Sequence, residues 1–339
     1  MRSNTGSRGS GRRPAGRRLR AALTLAVAAA AAVLPAGCGP LPAEPAKVST
    51  LTWSPDGHVY FISEADNRVG EVWRTSQGGR AEAFLDGKAL AGGCEGGPAV
   101  LTVVRAVGDA GLAVGFECPT SQDRLYLVDV RTRTMTPVLT GDDIRDVALE
   151  AGGARGYVAQ QRGNCASVAG FSDGALHGLD VRVPALTGEW RLLQGYDESA
   201  RARDGLTCGA EGKALSPVST GDGRTVAMLV TIARRGAGLN GGMYGRYDWN
   251  VGVLEGDAIR LVGPTLRGAP HLALAPDGSR VALFLSSTRD GLQVFDLAGG
   301  DPRTVSTEDG ASFPAFSPDG RTIAYSGGGR TSIKFAAVP

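Results

Sequence analysis

Ala311-Ser312-Phe313-Pro314-Ala315-Phe316-Ser317-Pro318-Asp319-Gly320-Arg321-Thr322-Ile323-Ala324-Tyr325-Ser326 is the stretch that decides the fold. Pro318 presets φ for the first central position of a turn, and Asp319 has a carboxylate that can bond nearby backbone. Gly320 suits the left-handed conformation that closes the turn. Ala315 and Phe316 before it, and Ile323, Ala324 and Tyr325 after it, read as the two strands of a hairpin. Both faces of the second strand are apolar or small, so that strand expects cover on both sides.

The unit recurs. Trp53-Ser54-Pro55-Asp56-Gly57 leads into Val59-Tyr60-Phe61-Ile62, and Leu274-Ala275-Pro276-Asp277-Gly278 leads into Val281-Ala282-Leu283-Phe284. A copy without the proline, Thr220-Gly221-Asp222-Gly223-Arg224-Thr225, leads into Val226-Ala227-Met228-Leu229. Two weaker copies, Gly108-Asp109-Ala110-Gly111 and Ala151-Gly152-Gly153, precede Leu112-Ala113-Val114 and Tyr157-Val158-Ala159. With Gly57, Gly111, Gly153, Gly223, Gly278 and Gly320 as the turn glycines, the steps are about 54, 42, 70, 55 and 42 residues. That is at or above the period of a four-stranded blade, and it counts six units.

The Ser-Pro-Asp-Gly turn followed by a β-branched residue, alanine and often an aromatic resembles the repeat of the TolB-like six-bladed β-propellers. The same repeat is found in propellers attached to prolyl-oligopeptidase-type hydrolases. The resemblance covers roughly residues 48 to 339 and implies an all-β, six-bladed β-propeller of four-stranded antiparallel blades. TolB has an α/β domain before its propeller, whereas signal and tether precede Val48 here. The hydrolases carry their catalytic domain beyond the propeller, and this chain ends at Pro339. Neither the Tol partner nor the peptidase activity is therefore carried over.

The N-terminal segment reads separately. Residues 1 to 20 hold seven arginines and no acid, and an alanine-rich apolar run follows from Ala21 to Ala36. That run is shorter than the roughly 20 residues of a membrane span and has the form of an export signal. It ends Leu34-Pro35-Ala36-Gly37-Cys38, which resembles a bacterial lipoprotein cleavage site with Cys38 as the lipidated residue. Pro35 stands where leucine is usual, and a plain secretory signal is the other reading; Arg17-Arg18 leaves the twin-arginine export route open. Residues 1–37 are thus assigned to the signal, 38–47 to a lipidated cysteine with a proline-rich tether, and 48–339 to the propeller. The expected location is extracytoplasmic, attached to the cell membrane by an N-terminal lipid. The full chain has 36 basic and 34 acidic residues, and without the seven signal arginines 29 basic residues face 34 acidic ones. The mature domain is therefore mildly acidic and shows no nucleic-acid signature.

Of five cysteines, Cys94, Cys118, Cys165 and Cys208 remain if Cys38 is lipidated. An even number in an exported chain favours disulfides. Loop parity places all four on one face of the propeller, and Cys94 is expected to pair with Cys118 and Cys165 with Cys208. His58, His177 and His271 stand alone, without metal-ligand spacing, so no metal or cofactor is expected. Gly170-Phe171-Ser172-Asp173-Gly174 matches a nucleophile elbow, but the segment after it alternates like a strand, and Ser-Asp-Gly is an ordinary hairpin turn.

Strands expected later in the units include Gly70 to Thr75, Arg124 to Val130, Gly188 to Leu193, Asn250 to Leu254 and Gly291 to Leu297. Between the strands at Val226 and Asn250 lies Ile232 to Trp249, longer than a hairpin needs and rich in glycine, arginine and aromatic residues. The excess length of the units falls in loops on the cysteine-bearing face. The expected function is a binding module that docks another envelope protein or a small extracellular ligand on that face. Tyr196, Arg234, Arg235, Tyr244, Arg246, Tyr247 and Trp249 are the candidate contacts. An extracytoplasmic enzyme or ligand sensor using the central channel is the alternative.

Overall fold

The computed structural model describes residues 45, 47–64, 70–86, 94, 99–162, 165–179, 181–185, 188–192, 213–233, 247–267, 271–285, 291–308 and 310–339. The chain divides into units 1–40 and 41–339, and every described residue belongs to the second. No helix occurs among them.

The first blade is β1 (Lys47–Trp53), β2 (Val59–Glu64), β3 (Glu71–Thr75) and β4 (Glu82–Asp86). The second is β5 (Val100–Val107), β6 (Gly111–Glu117), β7 (Asp123–Asp129) and β8 (Met135–Gly141). The third is β9 (Ile144–Leu149), β10 (Arg155–Arg162), β11 (Cys165–Ser172) and β12 (Ala175–His177). A hairpin, β13 (Val181–Ala185) and β14 (Gly188–Leu192), precedes the fourth blade, which is β15 (Lys213–Ser219), β16 (Val226–Ala233), β17 (Tyr247–Glu255) and β18 (Ala258–Arg267). The fifth is β19 (Leu272–Leu274), β20 (Arg280–Leu285), β21 (Gly291–Asp296) and β22 (Arg303–Ser306); the sixth is β23 (Ser312–Phe316), β24 (Thr322–Gly327) and β25 (Ser332–Ala337). Strands within each blade are antiparallel neighbours in chain order. The first strands contact one another in sequence, β1 to β5, β9, β15, β19 and β23, and β23 contacts β1, so the blades close into a ring.

The apolar core explains the closure. Six buried clusters lie one between each pair of adjacent blades. Side chains alternate faces along a strand, so a blade core must be apolar on both sides. In β24, Ile323 and Tyr325 face the fifth blade while Ala324 faces the first. Val226 and Val281 likewise face the preceding blade, and Ala227 and Ala282 the following one. The last cluster joins Val48, Phe61 and Trp73 of the first blade to Phe313 and Ala324 of the sixth. Trp53 adds an edge-on contact with Phe335 at 5.4 Å between ring centroids across the same junction.

The turns form as their residues dictate. Gly320 has φ +69°, Ser317 N donates to Thr322 O at 2.8 Å, and the Asp319 carboxylate accepts from Arg321 N at 3.1 Å. The proline-free copy builds the same bonds around Thr220, Asp222 and Gly223.

The described residues supply three strands of the sixth blade. Three expectations need correction. Gly188–Leu192 does not belong to the third blade, which β12 completes. It forms the hairpin partner of β13, and β13 pairs in parallel with β18, making the sheet of the fourth blade six-stranded. In the second blade the left-handed turn glycine is Gly108, with φ +56°, whereas Gly111 already opens β6. The strand expected from Asn250 begins three residues earlier, at Tyr247, which pairs with Ala233.

Candidate functional site

The Gly-x-Ser-x-Gly segment is a hairpin. Ser172 ends β11, Asp173 and Gly174 take φ +52° and +77°, and Ala175 starts β12. Two successive left-handed residues make the tight turn that joins twisted antiparallel strands. A nucleophile elbow needs a helix after the serine, and none follows.

The disulfide Cys94–Cys118 is present, closing a sequence separation of 24 residues. Beside it, the buried Asp123 carboxylate accepts from Cys118 N at 3.2 Å and Ile144 N at 2.8 Å, tying the second blade to the third. Burial pushes Asp123 up to about 6, against the lowering effect of those two N–H groups. Cys118→Ser is expected to cost about 3 kcal/mol of stability by freeing this loop in the unfolded chain. Urea titrations with and without reductant check it, since reduction should destabilise the wild type and leave the variant unchanged at this bond. Cys165 lies in β11 and Cys208 lies outside the described residues.

Of the candidate contacts, Tyr196, Arg234, Arg235, Tyr244 and Arg246 also lie outside the described residues, as does Cys38. Tyr247 opens β17. Trp249 is fully buried between the fourth and fifth blades, which removes it from the surface contacts. The alternation of β17 accounts for this, because Trp249 shares a face with Val251 and Val253 and all three join the same cluster.

The central channel brings together residues from all six blades. A cavity of about 490 Å³ occupies the end where the first strands run out into their turns. Its rim is Pro55, Asp109, Ala151, Gly221, Pro276 and Pro318, one residue from each turn and all exposed. Within it, the penultimate rung of the first strands is Thr52, Ala106, Ala148, Val218, Ala273 and Ala315, small or β-branched side chains that leave the bore open. The next rung is Leu51, Arg105, Val147, Pro217, Leu272 and Pro314. Its two prolines fall at β-bulges, where Ser216 and Phe313 take φ +48° and +50°. From rim to floor is roughly 13 Å at the rise of a strand.

Arg105 forms the floor's one charge. Its Nε and Nη2 donate to Asp146 Oδ1 and Oδ2 at 2.8 and 2.7 Å, and Nη1 reaches Leu51 O at 3.4 Å. One guanidinium thus ties the first, second and third blades together. The side chains are 15% and 12% exposed. Burial works against the Arg105 charge, but the Asp146 charge and hydrogen bonds outweigh it and hold Arg105 above the usual arginine range. Beyond the floor, the His271 ring lies tilted against Phe313, 4.0 Å between centroids and 38° between planes, and Arg330 lies over the Phe313 ring at 5.1 Å.

Burial lowers His271 to about 4, with Arg105 and Arg330 adding to the effect and Asp146 opposing it. A histidine whose folded pKa is depressed contributes stability that is complete above its free value of 6.5 and lost as pH falls through 4. That loss is on the order of 3 kcal/mol. Asp123, raised, acts in the opposite sense over the same range, so the variant comparison isolates His271. The stability advantage of wild type over His271→Gln is expected to shrink between pH 7 and pH 4. An advantage that is constant with pH in chemical denaturation would rule out a neutral buried imidazole.

Sequence reasoning set His271 aside as isolated and passed over Arg105 and Asp146. The signal was a charge inside an apolar first strand, Val103-Val104-Arg105-Ala106-Val107 and Ile144-Arg145-Asp146-Val147-Ala148.

No family model matches the sequence, and no curated protein does. Solved structures do match. A chain of the hydrazine synthase of Kuenenia stuttgartiensis is similar at 13% identity and TM-score 0.53, over 90% of this chain and 99% of that one. The likeness is one of fold alone. The putative TolB of Agrobacterium tumefaciens matches at 15% identity and TM-score 0.49, over 86% of this chain and 90% of that one. TolB of Acinetobacter baumannii matches at 13% identity and TM-score 0.47, over 86% and 57%. The propeller architecture itself is established by the blades and their closure.

Proposed function

We propose that this chain is an extracytoplasmic binding module, held to the membrane by a lipid on Cys38, that engages an envelope protein or small ligand at the mouth of its central channel. The observation that carries this reading is the cavity of about 490 Å³ ringed by one turn from every blade. Its volume lies within the about 300–1,000 Å³ of small-ligand sites, and its walls are mostly apolar with few polar groups, as such sites require. The face with the short turns is the one where the cavity opens. A second reading keeps protein docking on the cysteine-bearing face, through Arg234, Arg235, Tyr196, Tyr244, Arg246 and Tyr247. The Cys94–Cys118 bond favours it, since bracing a loop lowers the ordering cost of binding there.

The test is crosslinking and capture from intact cells with wild type, Gly221→Trp at the mouth and Arg246→Ala in the long insertion. Loss of the captured partner with Gly221→Trp supports the mouth, and loss with Arg246→Ala alone supports the other face. No specific partner or ligand with any form would defeat the binding-module reading. Membrane attachment has its own check. Cys38→Ser is expected to move the protein from the membrane to the soluble fraction, and equal partitioning of both forms would end the lipoprotein proposal.

A further inference from the structure

The chemistry of the cavity narrows what it takes. Among the residues that line it, Arg105, Asp109 and Asp222 carry charge, and the rest of the wall is apolar or small. Pro217, Leu272 and Pro314 surround the floor beside Arg105, and Trp53 and Phe316 stand nearer the rim. Such walls favour an apolar body.

The floor is polar in a directional way. A guanidinium has five N–H groups. Asp146 takes the pair formed by Nε and Nη2, and Leu51 O takes one hydrogen of Nη1. One N–H on each of Nη1 and Nη2 is left without a partner among the described residues. These N–H groups can donate to the oxygens of an incoming carboxylate.

Two acids line the mouth, Asp109 and Asp222, and the turn aspartates are held within their own turns. Asp56, Asp222, Asp277 and Asp319 each accept a backbone N–H within their own turns, from His58, Arg224, Ser279 and Arg321. Asp222 is also paired with Arg224 at 3.2 Å. At Asp222, the one of these four that lines the cavity, the exposed Arg224 guanidinium therefore offsets the charge, and Asp109 faces an incoming anion across the mouth.

We propose that the cavity binds a carboxylate carried on an apolar chain, with the carboxylate on the unpartnered N–H groups of Arg105 and the chain running outward past the prolines. This deepens the binding-module reading and rests on it. Two sources present this chemistry: the free C-terminus of a partner polypeptide, and a free organic acid with an apolar tail.

Isothermal titration of the propeller with matched probes separates them. One pair is a tetrapeptide library with free carboxyl termini against the same library amidated. The other is octanoate against octanamide. Each productive acid is expected to bind about tenfold or more tightly than its amide, the difference a charge-assisted contact makes. Preference for peptide acids identifies a chain end, and preference for octanoate identifies a free acid. Arg105→Met should abolish the preference. Because that variant also breaks an ion pair, Gly221→Trp supplies a second arm. A Cβ at Gly221 meets no atom within 4 Å and its φ is not left-handed, so the ring can cover the mouth while the floor stays intact. Acid binding that survives Gly221→Trp, amides that bind as well as acids, or no binding by any acid overturns the proposal. A cellular partner still captured by a protein that binds no acid would leave the module reading standing and remove only this one.

Discussion

Replacing Arg105 by methionine is expected to lower the unfolding free energy by about 3 to 5 kcal/mol. Removal of the guanidinium leaves the Asp146 carboxylate, 12% exposed, with Val147 N at 2.9 Å as its remaining hydrogen-bond donor. It also releases Leu51 O, so three blades lose their common tie. The pair is costly to break and less valuable to possess, because desolvation of both charges offsets much of their attraction. The double variant Arg105→Met/Asp146→Leu is therefore expected to recover more than half of the loss. Urea denaturation of the two single variants and the double variant gives the coupling directly. Single losses below about 1 kcal/mol would mean that solvent compensates the pair and that it does not brace the channel.

Trp249→Ala is expected to cost about 3 to 5 kcal/mol, as loss of a fully buried indole does. Trp249 stands opposite Thr231 on one side and Leu266 on the other, within a cluster that includes Leu229, Val251 and Phe295. Its removal opens a void between the fourth and fifth blades. A contact residue on an exposed loop would behave differently, with stability within about 0.5 kcal/mol of wild type and binding reduced. Thermal and chemical denaturation decide between these outcomes, and an unchanged midpoint would restore Trp249 to the surface. The expectation also sharpens the mutational test of the long insertion, because a loss of binding on truncating Trp249 would report damage to the blade junction. Arg246 is the better probe of that region.

Much of the fold was legible in the sequence because the information is local to each blade. The Ser-Pro-Asp-Gly turn, its degenerate copies and the apolar strand after each one depend on residues within about a dozen positions of one another. The alternation of Val226-Ala227, Val281-Ala282 and Ile323-Ala324 needs two covered faces, and the ring of blades supplies them. The Cys94–Cys118 bond was legible for the same reason, since loop parity within one blade puts both residues at one end. The sequence by itself thus determined the blade, its repeat, its number and that disulfide.

Other features depend on how blades meet, and local pattern does not carry that. Arg105 and Asp146 are 41 residues apart, and Arg105 and Leu51 are 54 apart, so their bonds form only when the first strands of three blades converge. The cavity opens at the turn-bearing end because small side chains share the penultimate rung, a property visible only once six registers are aligned. The hairpin of β13 and β14 adds to the fourth blade because its partner there, Ala258, is the residue facing Arg182, although the third blade is nearer in sequence. Trp249 is core because β17 starts at Tyr247, and a three-residue difference in where pairing begins moves a side chain from loop to interior. Tertiary structure alone decided these, since a charge or an indole is placed by the neighbours that desolvate it, and those neighbours come from other blades.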